Sequence, residues 1–243
     1  MNTFGLEVAA DSVASALAAQ KGGAMRVELC GGLDDGGLTP SFGTLAVARE
    51  RLQIPLYVLI RPRVGDFVFD AAEVEIMRRD VEQCVRLGCD GVVLGALDRC
   101  GQVDMATMRV LIAAAGSLGV TFHRAIDVSA DPSRALEDAI TLGCERVLTS
   151  GARASALAGI DAIAALVRQA GERISVMPGA GVCEHNLLLL RERTCAHEFH
   201  ASLRSTIAAQ VQAPHPYIHD LGGDYQRTDA VRVQRMVELL HVS

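Results

Sequence analysis

The 243-residue chain has no tryptophan, three tyrosines and six phenylalanines, and it lacks any run of basic residues. Its 23 Lys and Arg are scattered among 29 Asp and Glu for a net charge of −6. A nucleic-acid surface needs clustered basic residues, commonly interleaved with aromatics, so nucleic acid is not an expected partner. No apolar run reaches the roughly 20 residues of a membrane span, and the N-terminus has no basic segment followed by an apolar stretch and a cleavage site. The expectation is a cytoplasmic protein with no membrane contact. The seven cysteines, at 30, 84, 89, 100, 144, 183 and 195, are odd in number and contain no C-x-x-C pair. That suits neither a disulfide framework nor a zinc knuckle, and leaves most of them as reduced, buried small hydrophobes. Low-complexity tracts and interdomain linkers are also missing.

What is present is a large apolar fraction: half of the residues are hydrophobic and 21% are charged, enough for a sizeable core. Apolar runs alternate with amphipathic segments. Strands are predicted near 4–9, 25–30, 55–60, 90–95, 120–123, 145–149, 174–177 and 196–200. Helices are predicted near 12–20, 41–52, 72–87, 105–118, 132–142, 155–170, 184–193 and 229–241. Asp131-Pro132 reads as an N-cap followed by proline at the first helical position. Eight strand–helix units in about 240 residues have the rhythm of a TIM (β/α)8 barrel, here a single domain spanning 1–243. A long loop at about 203–228 precedes the last helix. It has the length of a lid, binding loop or oligomer contact, and a short helix is expected at 206–211.

The stretch around which these units are arranged is Val120-Thr121-Phe122-His123-Arg124-Ala125-Ile126-Asp127. It begins as a strand and delivers a histidine, an arginine and an aspartate at the carboxyl end, where barrels keep their sites. Parity extends the reading. The apolar face of each strand packs on helices, so the other face points into the barrel. This sends Glu7 and Ala9, then Arg26, Glu28 and Cys30, then Arg61, Thr121, His123, Thr149, Glu198 and His200 inward. Buried ionised groups must share partners or water. One reading is an internal ion-pair network that fixes strand register. The other is a site in which Glu28 and His123 act as acid and base while Arg61 or Arg124 holds an anion.

Pro178-Gly179-Ala180-Gly181 follows the seventh strand, the usual place for a phosphate in these barrels, although ordinary turn chemistry explains two glycines equally well. Thr149 and Ser150 add hydroxyls to the same rim, and Glu7, Asp127 and His200 complete the candidate binding residues. His197 and His200 are three apart on a strand and point to opposite faces, which argues against a paired-histidine metal site. Met105 and Met108 read as a core stripe on a helix. Cys30 is the cysteine that parity places inward beside Glu28. It is the candidate metal ligand, with a buried structural thiol as the alternative.

Six ordered segments, Arg26-Val-Glu-Leu-Cys30, Gly36-Gly-Leu-Thr-Pro40, Ile60-Arg-Pro-Arg63 with Gly65-Asp-Phe67, Thr121-Phe-His-Arg-Ala125 with Asp127, Arg146-Val-Leu-Thr-Ser-Gly151 and Met177-Pro-Gly-Ala-Gly-Val182, together resemble the CutC family over nearly the whole chain. The resemblance implies a TIM-like barrel, a cytoplasmic homo-oligomer, with a dimer favoured, and a link to copper(I) handling. It also implies a cysteine in strand one, two residues after the glutamate, and this sequence has Ala9 there. Copper(I) favours two or more soft sulfur ligands, so Cys30 lacks its partner. Val64 and Ala180 are smaller departures. Three functions are therefore carried forward: copper(I) handling, an enzyme acting on a small anionic or phosphorylated metabolite, and a non-catalytic barrel.

Overall fold

The computed structural model describes residues 4–211 and 223–241. Eight parallel strands are β1 (Gly5–Ala10), β2 (Arg26–Leu29), β3 (Leu56–Leu59), β4 (Gly91–Leu94), β5 (Gly119–Phe122), β6 (Arg146–Thr149), β7 (Ser175–Pro178) and β8 (Glu198–Ala201). The helices are α1 (Val13–Lys21), α2 (Phe42–Arg51), α3 (Ala71–Leu87), α4 (Met105–Ala115), α5 (Pro132–Thr141), α6 (Ile160–Ala170), α7 (Leu187–Thr194) and α8 (Ala230–Leu240). The sheet runs β7-β6-β5-β4-β3-β2-β1-β8. Strand β8 closes onto β1, and among the described residues no hydrogen-bonded ladder joins β7 to β8. The result is a TIM barrel that is nearly closed.

Local chemistry sets the helix ends. Asp70 and Glu73 form a reciprocal capping box at the start of α3, and Gly88 ends it in the left-handed region at φ 69°. Asp131 accepts from the Ser133 and Arg134 amides before Pro132 opens α5. The outward strand face supplies the main core. Leu6, Leu29, Leu56, Leu94, Phe122 and Phe199 are all buried against the helices, each worth about 1.5–3 kcal/mol relative to exposure.

Four elements differ from the sequence expectation by three residues or more, the first being helix α4, which ends at Ala115 rather than 118 where Gly116 turns the chain at φ 61°. Helix α6 begins at Ile160 rather than 155, because residues 151–159 fold back over the end of β6: Ala156 donates to the Ala180 carbonyl, and Gly151 and Gly159 touch backbone to backbone. Helix α7 starts at Leu187, after Asn186 has turned its side chain onto the Cys183 amide and the Gly181 carbonyl. The helix expected at 206–211 is replaced by β9 (Arg204–Ile207), paired antiparallel with β10 (Tyr225–Thr228). Residues of the expected 203–228 loop are thus partly a two-stranded ribbon, and 212–222 lie outside the described residues.

Candidate functional site at the barrel mouth

The strand register stacks the inward side chains in layers. Glu7 is level with Arg26 on β2 and with His200 on β8, and all three are buried or nearly so. Arg26 pairs with Glu7 and reaches Glu198 at 2.7 Å, which Arg146 also holds at 2.8 Å. Tyr57 fills the space between the two arginines, its ring centre 5.0 and 5.2 Å from their guanidinium carbons and its hydroxyl 2.7 Å from Glu145. Gly91 and Gly119 make that possible, since a Cβ at either would overlap the tyrosine. Burial alone would push the Glu7 carboxyl up, but Arg26 and His200 outweigh it and hold it at about 2. This layer is a satisfied ion-pair network, the structural alternative of the sequence reading.

Above it, at the carboxyl ends of the strands, lies a cavity of about 260 Å³ whose wall includes Glu28, Arg61, His123, Arg124, His200 and Arg204. His200 joins the two layers: Nδ1 is 2.8 Å from a Glu7 oxygen and Nε2 is 3.4 Å from a Glu28 oxygen. Burial pushes Glu28 up to about 7, with Glu7 adding to the rise and His200 opposing it. Burial also opposes protonation of His200, but the Glu28 and Glu7 carboxylates overcome it and raise its pKa. Glu28 is therefore poised to take or give a proton near neutrality, with the His200 imidazole beside it held toward its charged form.

His123 behaves differently. Burial, reinforced by the Arg61 cation, lowers it to about 3, so the ring is neutral. Its Nδ1 accepts the Ala125 N–H at 3.1 Å, which assigns the proton to Nε2. His123 lines the cavity as parity requires, and with its ring neutral and Nδ1 engaged by a backbone amide it presents an Nε2–H donor there. Arg61 donates to the carbonyls of Asp35, Gly37 and Gly65 at 3.3, 3.0 and 2.9 Å. Among the described residues no carboxylate pairs with it. Phe67 lies against both groups, with its ring centre 5.0 Å from the Arg61 guanidinium carbon and 4.8 Å from the His123 ring centre.

The buried side-chain N and O atoms left without a hydrogen bond among the described residues are Arg61 Nε, His123 Nε2 and Arg204 Nη1. All three are donors, and all three residues line the same cavity. An unmet buried donor costs about 1–3 kcal/mol, and of the three only Arg204 Nη1 has a carboxylate near it, that of Asp11 at 3.8 Å.

The other sequence candidates divide. Glu7 does not open into the cavity, because its position two residues before Ala9 on the same strand face drops it one layer lower. Thr149 does not face inward: Arg146 and Leu148 hold the inner positions of β6, and the Thr149 hydroxyl donates to Asp127. Asp127 is not a free ligand group either. It lies on a 3-10 turn over Arg124–Val128 and collects the Thr149 and Ser150 hydroxyls, the Ser150 and Ala152 amides and Arg124. Ser150 is thereby spent on the same turn, and its oxygen also receives Arg124 at 3.0 Å. The Gly179 amide donates to the Thr149 carbonyl, whereas Gly181, at φ 74°, lines the cavity. His197 and His200 face apart as parity requires: His197 is exposed beside Phe4.

Sequence parity does not reach Arg204, because the segment after β8 carries the signals of a loop and a short helix, not those of a strand. Strand β9 carries it back over the mouth, where it meets Asp34 at 2.7 Å and Asp11 at 3.8 Å. Tyr57 and Phe67 were missed too. A tyrosine in an apolar strand and a phenylalanine in a loop carry no local signal of a cavity.

Cys30 lines the cavity, but its thiol is directed at the Ala10 carbonyl 3.7 Å away, and burial, then Glu28, pushes its pKa far up. Ala9 offers no second sulfur, so one chain's cavity does not meet the two-sulfur preference of copper(I). Glu7, Glu28 and His200 offer oxygen and nitrogen atoms within 4.8 Å of one another. Arg26 and the bridging imidazole already occupy them.

Comparison with known proteins places this geometry in a lineage. The family protein CutC of Xanthomonas axonopodis pv. citri is 85% identical over 98% of this chain and 99% of its own length. The human copper homeostasis protein cutC homolog is 50% identical over 84% of this chain and 75% of its own. The crystal structure of CutC from Streptococcus agalactiae superposes with a TM-score of 0.79 at 32% identity, covering 82% of this chain and 99% of that one. A phosphoribosylanthranilate isomerase of Thermotoga maritima, at 10% identity and a TM-score of 0.58, shares the fold alone. The CutC family's sequence model matches residues 4–205, which include every strand of the barrel and every residue of the cavity named above, and the chain belongs to the CutC family.

Proposed function

We propose that the barrel mouth binds a small anionic metabolite and performs acid–base chemistry on it with the Glu28–His200 pair. The observation that carries this reading is the gathering of buried donors around one cavity: Arg61 Nε and His123 Nε2 have no hydrogen-bond partner among the described residues, and Arg204 Nη1 has only the Asp11 carboxylate 3.8 Å away. Arg124, partly exposed at the rim, adds a further cation. Each charge-assisted contact is worth roughly 1.5–3 kcal/mol, so loss of one arginine weakens binding about tenfold or more. The test is a thermal-shift screen of anionic and phosphorylated metabolites, repeated for the best hit with Arg61→Ala, Arg124→Ala and Arg204→Ala. The expected result is a shift in the wild type that shrinks in each folded variant. Equal shifts in all four proteins, or no hit, would overturn it.

Copper(I) handling is the second reading. It is favoured by the name of the human relative and by the position of Cys30 on the cavity wall. With one thiol, binding by a single chain is expected to be weak. Titration of copper(I) against a competing chelator under reducing conditions, in wild type and Cys30→Ser, checks this: a tight stoichiometric site lost in the variant would make copper the primary ligand. Seven free cysteines suit a reducing compartment, which supports a cytoplasmic location, and no helix among the described residues is long and apolar enough to cross a membrane. A homo-oligomer, with a dimer as the favoured form, follows from the family resemblance; light scattering after size exclusion would reveal a monomer instead.

A further inference from the structure

Resting on the anion-site reading, we infer that the chemistry at the mouth is proton abstraction from a carbon next to a carbonyl, with Glu28 as base and the His123 and Arg61 N–H groups as the oxyanion's donors. The cavity lacks two common reactive groups. The chain's single lysine, Lys21, is exposed at the end of α1, so no amine is present to form a Schiff base. The Cys30 thiol is turned to the Ala10 carbonyl and is held protonated, which removes the obvious nucleophile. What remains is a carboxylate whose nearest partner is His200 Nε2 at a long 3.4 Å, together with the unmet donors on β3 and β5.

Those donors are of the right kind. His123 is fixed by the Ala125 amide as the Nε2–H tautomer, so it can donate to a developing oxyanion without giving up its proton. Arg61 is anchored by three carbonyls through its terminal nitrogens, and that leaves Nε–H unspent. Preorganised donors of this sort act where negative charge appears during reaction, not on the ground-state carbonyl alone. Phe67 lies beside both groups and shares the cavity wall with them.

The step balances within the site. A Glu28 oxygen takes the proton from the α carbon, the C–H electron pair becomes the C=C bond, and the carbonyl π pair moves onto oxygen. That oxygen receives hydrogen bonds from His123 Nε2 and Arg61 Nε. Return of the proton to the same carbon restores the carboxylate and gives exchange; in a hydroxycarbonyl compound, return to the former carbonyl carbon, with the hydroxyl proton passing to the former carbonyl oxygen, gives isomerisation, and neither outcome needs an oxidant or second substrate. The rim cations Arg124 and Arg204 hold the anionic end, so the substrate class is a small keto acid or a phosphorylated hydroxycarbonyl compound.

The experiment follows loss of the α-proton signal of pyruvate and of dihydroxyacetone phosphate in D2O by proton NMR, with protein present and absent. Binding of each compound is measured in parallel by ligand-observed NMR. Wild type is expected to exchange at least one of them. Glu28→Gln, isosteric with the native residue, should lower exchange at least about a hundredfold. His123→Ala should lower it by about 100–1,000-fold, with partial recovery in His123→Gln, whose amide restores an N–H donor. Exchange that persists in Glu28→Gln overturns the inference. So does binding of either compound without exchange, and that result leaves the anion site standing. If neither compound binds or exchanges, the inference is overturned together with this substrate class, and the thermal-shift screen alone then decides the anion reading.

Discussion

At the scale of single residues, the mouth holds two titratable groups displaced in opposite directions by one cause, burial. Glu28, at about 7 against an ordinary 4.5, keeps a proton in the folded chain that the unfolded chain has released. Its contribution to stability therefore falls as pH rises from 4.5 to 7. His123, at about 3 against 6.5, is the reverse: the unfolded chain holds the extra proton, and the contribution rises with pH from 3 to 6.5. Between about pH 4.5 and 6.5 the two oppose each other. Glu28→Gln should unmask a stability that climbs across that window, and His123→Gln one that declines, as read from urea midpoints at roughly pH 4.5, 5.5 and 6.5. Equal slopes in the two variants would mean that these groups do not carry the opposed shifts. Below about pH 4.5 the Glu7 contribution also starts to go, since its folded value of about 2 lies under the unfolded one.

At the scale of elements, the turn over Arg124–Val128 is as much a part of the site as the strands, because Asp127 ties β5 to the loop after β6 and holds Arg124 in place. Asp127→Ala leaves the Thr149 and Ser150 hydroxyls and two amides without this acceptor. A loss of about 2–4 kcal/mol is expected in urea unfolding, together with weaker anion binding. Unchanged stability would show that water replaces the carboxylate at no cost. The sequence made much of this arrangement legible. Period-two alternation sorts Glu28, His123 and His200 inward, since a strand has only two faces. Asp127 lies just past β5, where that rule lapses and hydrogen-bond demand decides direction. Thr149 went wrong by one position: an apolar inner residue, Leu148, breaks the assumption that the outer face alone is apolar. Arg204 was out of reach because its place depends on β9 folding back across the mouth, a contact between segments far apart in the chain.

Across the whole molecule, the ion pairs beneath the cavity link β1, β2, β6 and β8 through Glu7, Arg26, Arg146 and Glu198. Removing one partner strands a buried charge. Arg26→Met should cost about 3–5 kcal/mol, while Glu7→Gln/Arg26→Met should recover a good part of the loss by withdrawing the orphaned carboxylate as well. Denaturant unfolding of the wild type, both single variants and the double variant checks this, and a double variant as unstable as the sum of the single changes would argue against coupling. Strands β7 and β8 do not share in the ladder that binds the other neighbours, and their lips carry Gly179 and His200, which nearly touch: a Cβ on Gly179 would sit 3.4 Å from that of His200. The barrel is thus a split ring rather than a hoop. At that junction the two strands still lie side by side, so the imidazole that connects the buried charges to the mouth sits against a seam closed by side-chain packing instead of backbone hydrogen bonds.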